Sequence, residues 1–295
     1  MRAVAKNLQE MTLLLLSKEE IEIEAATTEG ETALMYAASV GNPVLVNAIL
    51  LKGANVNIRN CEGITALLET ASGGHVEVTA LLLQQQGIDP NLEDVDGNTP
   101  LICAVKYRRD EVVKLLLNHA SVDANLQNSA GYTALMYAAK NGQYEVVKLL
   151  LAHKVDINKT GSDGVTAVLL AAAQNFPEIV KLLLTQGTEL CTQKATILLS
   201  ASGYGSALVV KLLLSEGTDI NTVDDENRTP LMLAVKYGHI EVVELLLRED
   251  ARIDIIDKFG MTALQLAKTS RRRNIVALLE NATHHPEPKI ALGRC

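Results

Sequence analysis

One pattern of polar and apolar positions recurs along the chain at intervals of 30 to 34 residues. Each copy has an anchor position, followed two residues later by threonine, four residues later by leucine or valine, and seven residues later by a small residue. The anchors are Gly30, Gly63, Gly97, Gly131, Gly164, Lys194, Asn227 and Gly260. Because all eight threonines keep one register, the pattern predicts a tandem array of eight structural repeats.

The spacing inside each copy predicts two short helices. The threonine caps the first helix with its hydroxyl, and Pro100 and Pro230 then occupy the first helical position, where the missing N–H costs least. Glycine eleven residues after the anchor, as at Gly41 and Gly238, suits the left-handed residue that ends a helix. The second helix is apolar on more than one side, as in Val146–Leu151, which is typical of a helix packed between two neighbours. Asp or Asn three residues before most anchors predicts the tight turns of a projecting hairpin.

This pattern resembles the ankyrin repeat, a turn and two antiparallel helices in about 33 residues. Thr99–Leu101 and Gly238–Val243 are close to that family's consensus. The family's histidine after Thr-Pro-Leu is absent in every copy and is replaced by Met, Leu, Ile or Gln, which exchanges a hydrogen bond for packing. The resemblance implies an all-α fold: a right-handed α-solenoid of about eight helix–turn–helix repeats with projecting β-turn fingers.

The repeats divide the chain into three segments. Residues 28–281 form the predicted repeat domain, and residues 282–295 lack periodicity and are expected to be a flexible tail. Residues 1–27 are predicted to be an N-terminal helical cap, because a solenoid must cover the end of its first repeat. One helical stripe there, expected to face the first repeat, contains Leu8, Met11, Leu14 and Leu15.

The sixth repeat is degenerate. It is three residues shorter than its neighbours and has Lys194 at its anchor, which predicts a shortened finger near Glu189–Lys194. Neutral drift in a tolerant loop explains this feature, and so does a gap that shapes a binding groove or a bend.

The amino-acid composition limits the kinds of core, partner and compartment that fit this chain. Hydrophobic residues make up 48% of the chain and aromatic residues only 3%, which fits a core of Leu, Val, Ile and Ala between closely packed helices. The formal net charge of −8 disfavours binding to nucleic acid. No apolar run approaches the ~20 residues of a membrane span. Four scattered cysteines without a Cys-x-x-Cys pair indicate a reducing compartment, so we expect the cytoplasm, with the nucleus left open.

No motif for catalysis, phosphate binding or metal binding is present, so we predict a protein that is not an enzyme and has no cofactor or metal. His75 and His239 occupy the same slot, twelve residues after the anchor, which favours a repeated structural hydrogen bond over a ligand role. A basic patch at Arg271–Arg273 is interpreted as a solvated capping face, with phosphate, acidic peptide or lipid headgroups as alternatives.

The resemblance implies that residues near the end of each first helix, and beside each anchor, face the concave groove. Tyrosine and lysine recur in these slots, and tyrosine is common at binding hot spots. For these tyrosines the residues alone leave binding and structural packing equally open, whereas Tyr36 and Tyr137 are assigned to packing between repeats. The candidate partner-binding residues are Lys106, Tyr107, Tyr132, Lys140, Tyr204, Arg228, Lys236 and Tyr237.

These residues lead to the hypothesis of a monomeric protein-interaction module, a scaffold or adaptor that binds another protein or a peptide on its concave face. The neighbouring lysines favour a partner with acidic side chains. The alternatives are a regulatory or inhibitory subunit of an enzyme, or a host-directed effector of an intracellular microbe. An enzyme would require a converging set of nucleophile, base and orienting group, which the sequence does not indicate.

Overall fold

The computed structural model describes residues 2–18, 21–187 and 193–284, and the regular secondary structure in these ranges is helical, with one isolated bridge between Ala26 and Thr32. The predicted all-α class is therefore confirmed. The 18 helices are α1 (Arg2–Ala5), α2 (Gln9–Leu16), α3 (Ala33–Val40), α4 (Pro43–Leu50), α5 (Ala66–Gly73), α6 (Val76–Leu83), α7 (Pro100–Lys106), α8 (Asp110–Leu117), α9 (Ala134–Lys140), α10 (Tyr144–Ala152), α11 (Ala167–Ala173), α12 (Pro177–Gln186), α13 (Lys194–Tyr204), α14 (Ala207–Ser215), α15 (Pro230–Tyr237), α16 (Ile240–Arg248), α17 (Ala263–Thr269) and α18 (Arg273–His284).

After α1 and α2, the helices form eight successive pairs, from α3/α4 to α17/α18, as the repeat pattern predicts. The chain divides into two compact units, unit 1 (Met1–Ala167) and unit 2 (Val168–Cys295). The right-handed sense and the single uninterrupted array over residues 28–281 stay predictions.

Within each unit, the first helices of consecutive repeats pack against one another, and so do the second helices. In unit 1, α3, α5, α7 and α9 pack in one row, and α4, α6, α8 and α10 pack in a second row. In unit 2, α13, α15 and α17 form one row, and α12, α14, α16 and α18 form the other. Alanines such as Ala37 and Ala104 are completely buried, and their small side chains let neighbouring helices approach closely.

Threonine caps begin most of the first helices. The side-chain oxygen accepts the backbone N–H three residues further on, at 3.2–3.4 Å, in Thr32, Thr65, Thr99, Thr133, Thr229 and Thr262. The sixth repeat departs from this rule because α13 already begins at Lys194, so Thr196 lies inside the helix. Lys194 does not adopt the positive φ of the anchor glycines, and it pairs with Glu216 at 2.9 Å. The expected cap at Thr196 is therefore wrong. Residues 189–192 of the predicted short finger lie outside the described residues.

The repeated structural hydrogen bond predicted for the two histidines is confirmed. His75 Nε2 lies 3.0 Å from the Ser39 carbonyl oxygen, and His239 Nε2 lies 2.8 Å from that of Gly203. Each ring covers the residue with positive φ that ends the first helix of the preceding repeat. At Gly205 (φ 80°), a Cβ atom would lie only 2.5 Å from His239 Nδ1, so the position needs glycine for both its backbone and its space.

The turns between repeats are held by Asp and Asn, as predicted. One side-chain oxygen accepts two backbone N–H groups, two and four residues further on, in Asn60, Asp94, Asn128, Asp224 and Asp257. Successive turns are then joined by backbone hydrogen bonds, such as the 2.9 Å bond from the Lys258 N–H to the Glu226 carbonyl.

The prediction of which face of the N-terminal helix is buried is wrong. Helix α2 packs on α4, and its buried residues are Thr12 and Leu16, which are 3% and 6% exposed. The predicted stripe is instead exposed by 42–70% (Leu8, Met11, Leu14, Leu15). Helical periodicity predicts which side chains share a face, but the neighbouring helix determines which face is covered.

Two buried serines in unit 2 give a matched test of the packing. Ser202 Oγ has no hydrogen-bond partner in the described residues, whereas Ser206 Oγ donates to the Ala173 carbonyl at 3.1 Å. A buried hydroxyl without a partner costs about 1–3 kcal/mol, so we expect Ser202→Ala to raise the free energy of unfolding by about 1 kcal/mol. Ser206→Ala removes a satisfied bond and is expected to lower it by about 1 kcal/mol. Urea denaturation measures both changes, and a loss of stability in Ser202→Ala would contradict the unpaired hydroxyl.

Candidate functional site

The eight candidate residues divide equally between the two units. Unit 1 holds Lys106, Tyr107, Tyr132 and Lys140, and unit 2 holds Tyr204, Arg228, Lys236 and Tyr237. All eight lie in the last turn of a first helix, directly after that turn, or beside an anchor. We call the surface made of these last turns and anchor-flanking residues the inner face of each unit.

In unit 1 the structure brings the candidates together around aromatic rings. Lys106 Nζ lies 5.6 Å from the ring centroid of Tyr107 and 6.0 Å from that of Tyr137. The rings of Tyr132 and Tyr137 are 5.5 Å apart at 45°, and Lys140 Nζ lies 6.0 Å from the centroid of Tyr132. These distances are within the range of cation–π contacts. The arrangement is a continuous cluster of two cations and three rings, the unit 1 cluster.

Tyr137 is the member of this cluster that the sequence assigned to packing between repeats. It is half-buried, and its hydroxyl accepts a hydrogen bond from Asn128 Nδ2 at 3.2 Å. The same amide nitrogen donates to Asn98 Oδ1 at 2.9 Å. Tyr137 is thus tied to the turns of two repeats while its ring joins the unit 1 cluster. It contributes both to the packing between repeats and to the inner face.

Tyr132 also bridges two neighbouring finger turns. Its hydroxyl donates to Asp163 Oδ2 at 2.9 Å, although the two residues are 31 positions apart. The backbone N–H of Val165 and the Tyr132 hydroxyl both stabilise the ionised carboxylate, so the pKa of Asp163 is lowered. The hydrogen bond holds the Tyr132 ring in place.

In unit 2 three of the four candidates line one groove of about 780 Å³. Its walls are α13, α15 and the turn that precedes α15. Tyr204 and Tyr237 are 66% and 53% exposed, and the Tyr237 ring packs beside Gly203. We call this cavity the unit 2 groove. Its lining also includes Leu199, Val223, Asp224, Asp225, Leu233 and His239.

Arg228, the third candidate in the unit 2 groove, is already paired. Its Nε lies 2.8 Å from Asp224 Oδ2, and its Nη1 lies 2.8 Å from Glu226 Oε2. Burial alone raises the pKa of Asp224, but hydrogen bonds from the backbone and side chain of Arg228 and from the Glu226 N–H outweigh it, so the net pKa is lowered. Both members of the pair remain ionised near neutral pH, and Arg228 acts as part of a local ion-pair network.

Lys236 lies apart from the groove lining. It is exposed, with its Nζ 5.6 Å from the ring centroid of Tyr237, and its carbonyl accepts a hydrogen bond from Arg272 Nη2 at 2.9 Å. Arg272 is therefore engaged in the contact between repeats, which changes the expectation that Arg271–Arg273 is entirely a solvated face.

Sequence reasoning missed the acidic side of the unit 2 groove. Asp224 and Asp225 line it, and the consecutive acidic residues 224–226 are the signal that was available. The sequence alone does not show that these residues make the groove acidic, because the pairing of Arg228 with two of these carboxylates depends on the conformation of the turn.

The remaining chemistry of the described residues is sparse. Over residues 2–18, 21–187 and 193–284, no three His, Cys, Asp or Glu side chains are grouped so that they could hold a metal ion. Burial raises the pKa of the Cys103 thiol to about 11, which keeps it protonated and a poor nucleophile. Among the described helices, none combines the length and the apolar character that crossing a membrane requires. The expected tail, residues 282–295, begins too early, because α18 continues to His284; the rest of it, with Cys295, lies outside the described residues.

Comparisons with a family model and with a solved structure both match the repeats of this chain. A family model for ankyrin repeats, described as three copies, matches residues 34–128, 119–194 and 197–289. A solved structure of EF0377, an ankyrin repeat protein, aligns with a TM-score of 0.59 and 28% identity, and covers 63% of this chain and 95% of that one.

Curated relatives match shorter stretches. Human SMC5-SMC6 complex localization factor protein 1 is 39% identical over 87 residues, which is 29% of this chain and 8% of that protein. Human Notch-regulated ankyrin repeat-containing protein is 33% identical over 79 residues, which is 26% of this chain and 69% of that protein. The alignment with the localization factor thus spans less than a tenth of its length.

The hydrogen bond between Tyr132 and Asp163 can be tested by its effect on acid titration. We expect Tyr132→Phe to raise the pKa of Asp163 toward its ordinary value of about 3.9, while the Val165 N–H keeps it somewhat depressed. A depressed pKa contributes stability that is present above the unfolded-state pKa and is lost as the pH falls through the folded-state pKa. The variant should therefore lose less stability than the wild type between pH 6 and pH 2.

NMR titration of the Asp163 carboxyl measures the pKa directly, and urea denaturation at the two pH values measures the stability. Tyr144→Phe is the matched control, because Tyr144 lies on α10 with its ring 5.7 Å from Lys148 Nζ. An unchanged pKa of Asp163 in Tyr132→Phe would show that the hydrogen bond does not form in solution.

Proposed function

The chain belongs to the ankyrin-repeat family, and from this premise we propose that it is an adaptor that binds a partner protein or peptide on the inner faces of its repeats. Ankyrin repeats indicate a protein-interaction module, and stacked repeats present extended surfaces for that purpose. The observation that carries the proposal is the unit 2 groove, because it joins an apolar floor to two well-exposed tyrosines.

The composition of the unit 2 groove supports peptide binding. Leu199 and Leu233 supply apolar surface, and a volume of about 780 Å³ falls in the range of about 300–1,000 Å³ that is typical of ligand sites. Tyr204 and Tyr237 add large contact areas that lose little conformational entropy on binding. Such tyrosines, surrounded by apolar contacts that exclude water, are frequent hot spots.

The unit 1 cluster supplies a second candidate contact surface. Tyr107 is 49% exposed, and Lys106 and Lys140 place two cations on the surface beside it. The original expectation of a partner with acidic side chains applies to this surface, where the lysine charges face aromatic rings. The monomeric state and a location in the cytoplasm or nucleus stay predictions.

We expect the double variant Tyr204→Ala, Tyr237→Ala to lose its partner. Two hot-spot tyrosines contribute about 2 kcal/mol each, so the affinity should fall by roughly 700-fold if the two losses add. Affinity capture from a cell extract with the wild-type chain identifies the partner, and titration calorimetry with the purified partner measures the loss.

Tyr144→Ala is the matched control, since Tyr144 is 40% exposed but lies on a second helix outside both inner faces. It should bind within about threefold of the wild type, as expected for a residue outside the contact. A double variant that keeps its helical circular dichroism and binds as well as the control would contradict the proposed groove.

A further inference from the structure

We infer that the unit 2 groove selects a partner segment in which an apolar side chain lies next to lysine or arginine. This inference rests on the proposed function and adds the chemistry of the partner. It reverses, for this surface, the expectation of an acidic partner that the sequence suggested from the neighbouring lysines, here Lys236.

The apolar part of the segment follows from the groove floor. Leu199 from α13 and Leu233 from α15 line it, and Val223, another lining residue, is 43% exposed. Each square ångström of apolar surface removed from water contributes about 25 cal/mol, so one buried Leu, Ile, Met or Phe side chain gains about 1.5–3 kcal/mol. The floor therefore favours an apolar anchor in the partner.

The charged part follows from an inventory of the groups at the turn before α15. Three carboxylates are present, those of Asp224, Asp225 and Glu226, against the single cation of Arg228. Asp224 and Glu226 both pair with Arg228, so the guanidinium is already compensated and offers little attraction to an incoming carboxylate.

Asp225 is the acidic group that remains for a partner. It is exposed, lines the groove, and has no cation within 4.0 Å among residues 193–284 or elsewhere in the described chain. Other charged groups nearby do not reverse the sign. Lys194 is neutralised by Glu216 at 2.9 Å, and Lys236 lies over Tyr237 outside the lining. When Lys236 is counted together with the turn before α15, the total is still three negative and two positive charges.

The aromatic rings add a second attraction for a cation. The face of a tyrosine ring attracts lysine and arginine within about 6 Å of its centroid. Lys236 Nζ, 5.6 Å from the Tyr237 centroid, makes this contact inside the protein itself. Tyr204 is 66% exposed and has no cation over its ring in the described residues. Asp225 and Tyr204 both line the groove, so a partner cation has two acceptors there, the carboxylate of Asp225 and the face of Tyr204.

His239, the remaining titratable group of the lining, is committed to the fold. Its Nε2 lies 2.8 Å from the Gly203 carbonyl and its Nδ1 faces Gly205. This hydrogen bond leaves the recognition of charge to Asp225 and Tyr204.

The experiment is a selection of random heptapeptides, displayed on phage, against the full chain. We expect the enriched peptides to carry Lys or Arg within two positions of Leu, Ile, Met or Phe. A synthetic copy of one enriched peptide then serves as the probe in fluorescence polarisation, together with a copy in which the basic residue is replaced by Glu.

Three variants separate the causes. Asp225→Lys should weaken the basic probe by about fivefold or more and improve binding of the Glu copy, because an exposed charge pair contributes modestly and a like-charge pair opposes binding. Glu241→Lys, the same charge change on an exposed residue of α16 outside the groove, should change both affinities by less than about twofold. Tyr204→Ala with Tyr237→Ala should abolish binding of both probes.

The outcomes distinguish this inference from the proposed function. Enrichment of acidic peptides, or a probe affinity that is indifferent to Asp225→Lys but lost in the tyrosine variant, would overturn the charge preference alone. Probe binding that survives the tyrosine variant, or a selection that enriches no peptide, would contradict the groove and therefore both proposals. Circular dichroism of each variant checks that its helices are retained.

Discussion

Within each of the two units, a repeat of this protein is completed by the repeat that follows it. The helices bury their apolar faces against neighbouring helices of the same row, and polar side chains reach back more than 30 residues to satisfy backbone groups of the preceding copy. His239 bonds to the carbonyl of Gly203 in this way, and Arg109 Nε bonds to that of Ser72 at 2.9 Å. Buried backbone groups are costly when unpaired, so these bonds make the contact between neighbours specific as well as apolar.

The same contacts position the candidate binding surfaces. Each first helix must end where the next repeat covers it, so the residues of its last turn project beside that contact and remain accessible. Tyr237, at the end of α15, therefore packs along Gly203 of the preceding repeat and still exposes half of its surface. Tyr132 is held by a carboxylate of the following turn. Side chains that are oriented before binding lose less entropy when a partner arrives.

Most of the fold could be predicted from the sequence because each local signal recurs in register. The threonine caps, the left-handed glycines and the Asx turns each require only a few neighbouring residues. Predictions failed where the outcome depends on a partner in space. The face of α2 is one example, since Thr12 rather than Leu14 is buried where the helix packs on its neighbours.

The candidate site shows the same division between local and spatial signals. The slots of Tyr204 and Tyr237 could be predicted from the repeat register, and the structure places both in one groove. The electrostatic character of that groove could not, because a count of charges does not reveal that Arg228 is compensated by Asp224 and Glu226. The Tyr137 contact with Lys106 likewise joins two repeats and has no local signature.

At several contacts between repeats, a large side chain of the next repeat covers the glycine that ends a first helix. Glycine at this position is covered by a large group, as His75 covers Gly41 and Arg109 covers Gly74. Where the position is Arg108 or Asn175, also with positive φ, the next repeat instead offers Gln143 or Ser206. Asn175 uses its side chain to accept the backbone N–H groups of Leu208 and Val209 at 3.0 and 3.2 Å. A duplicated or transplanted repeat would consequently stack well only where the residue that ends the first helix before it accommodates the side chain that the new repeat places over it.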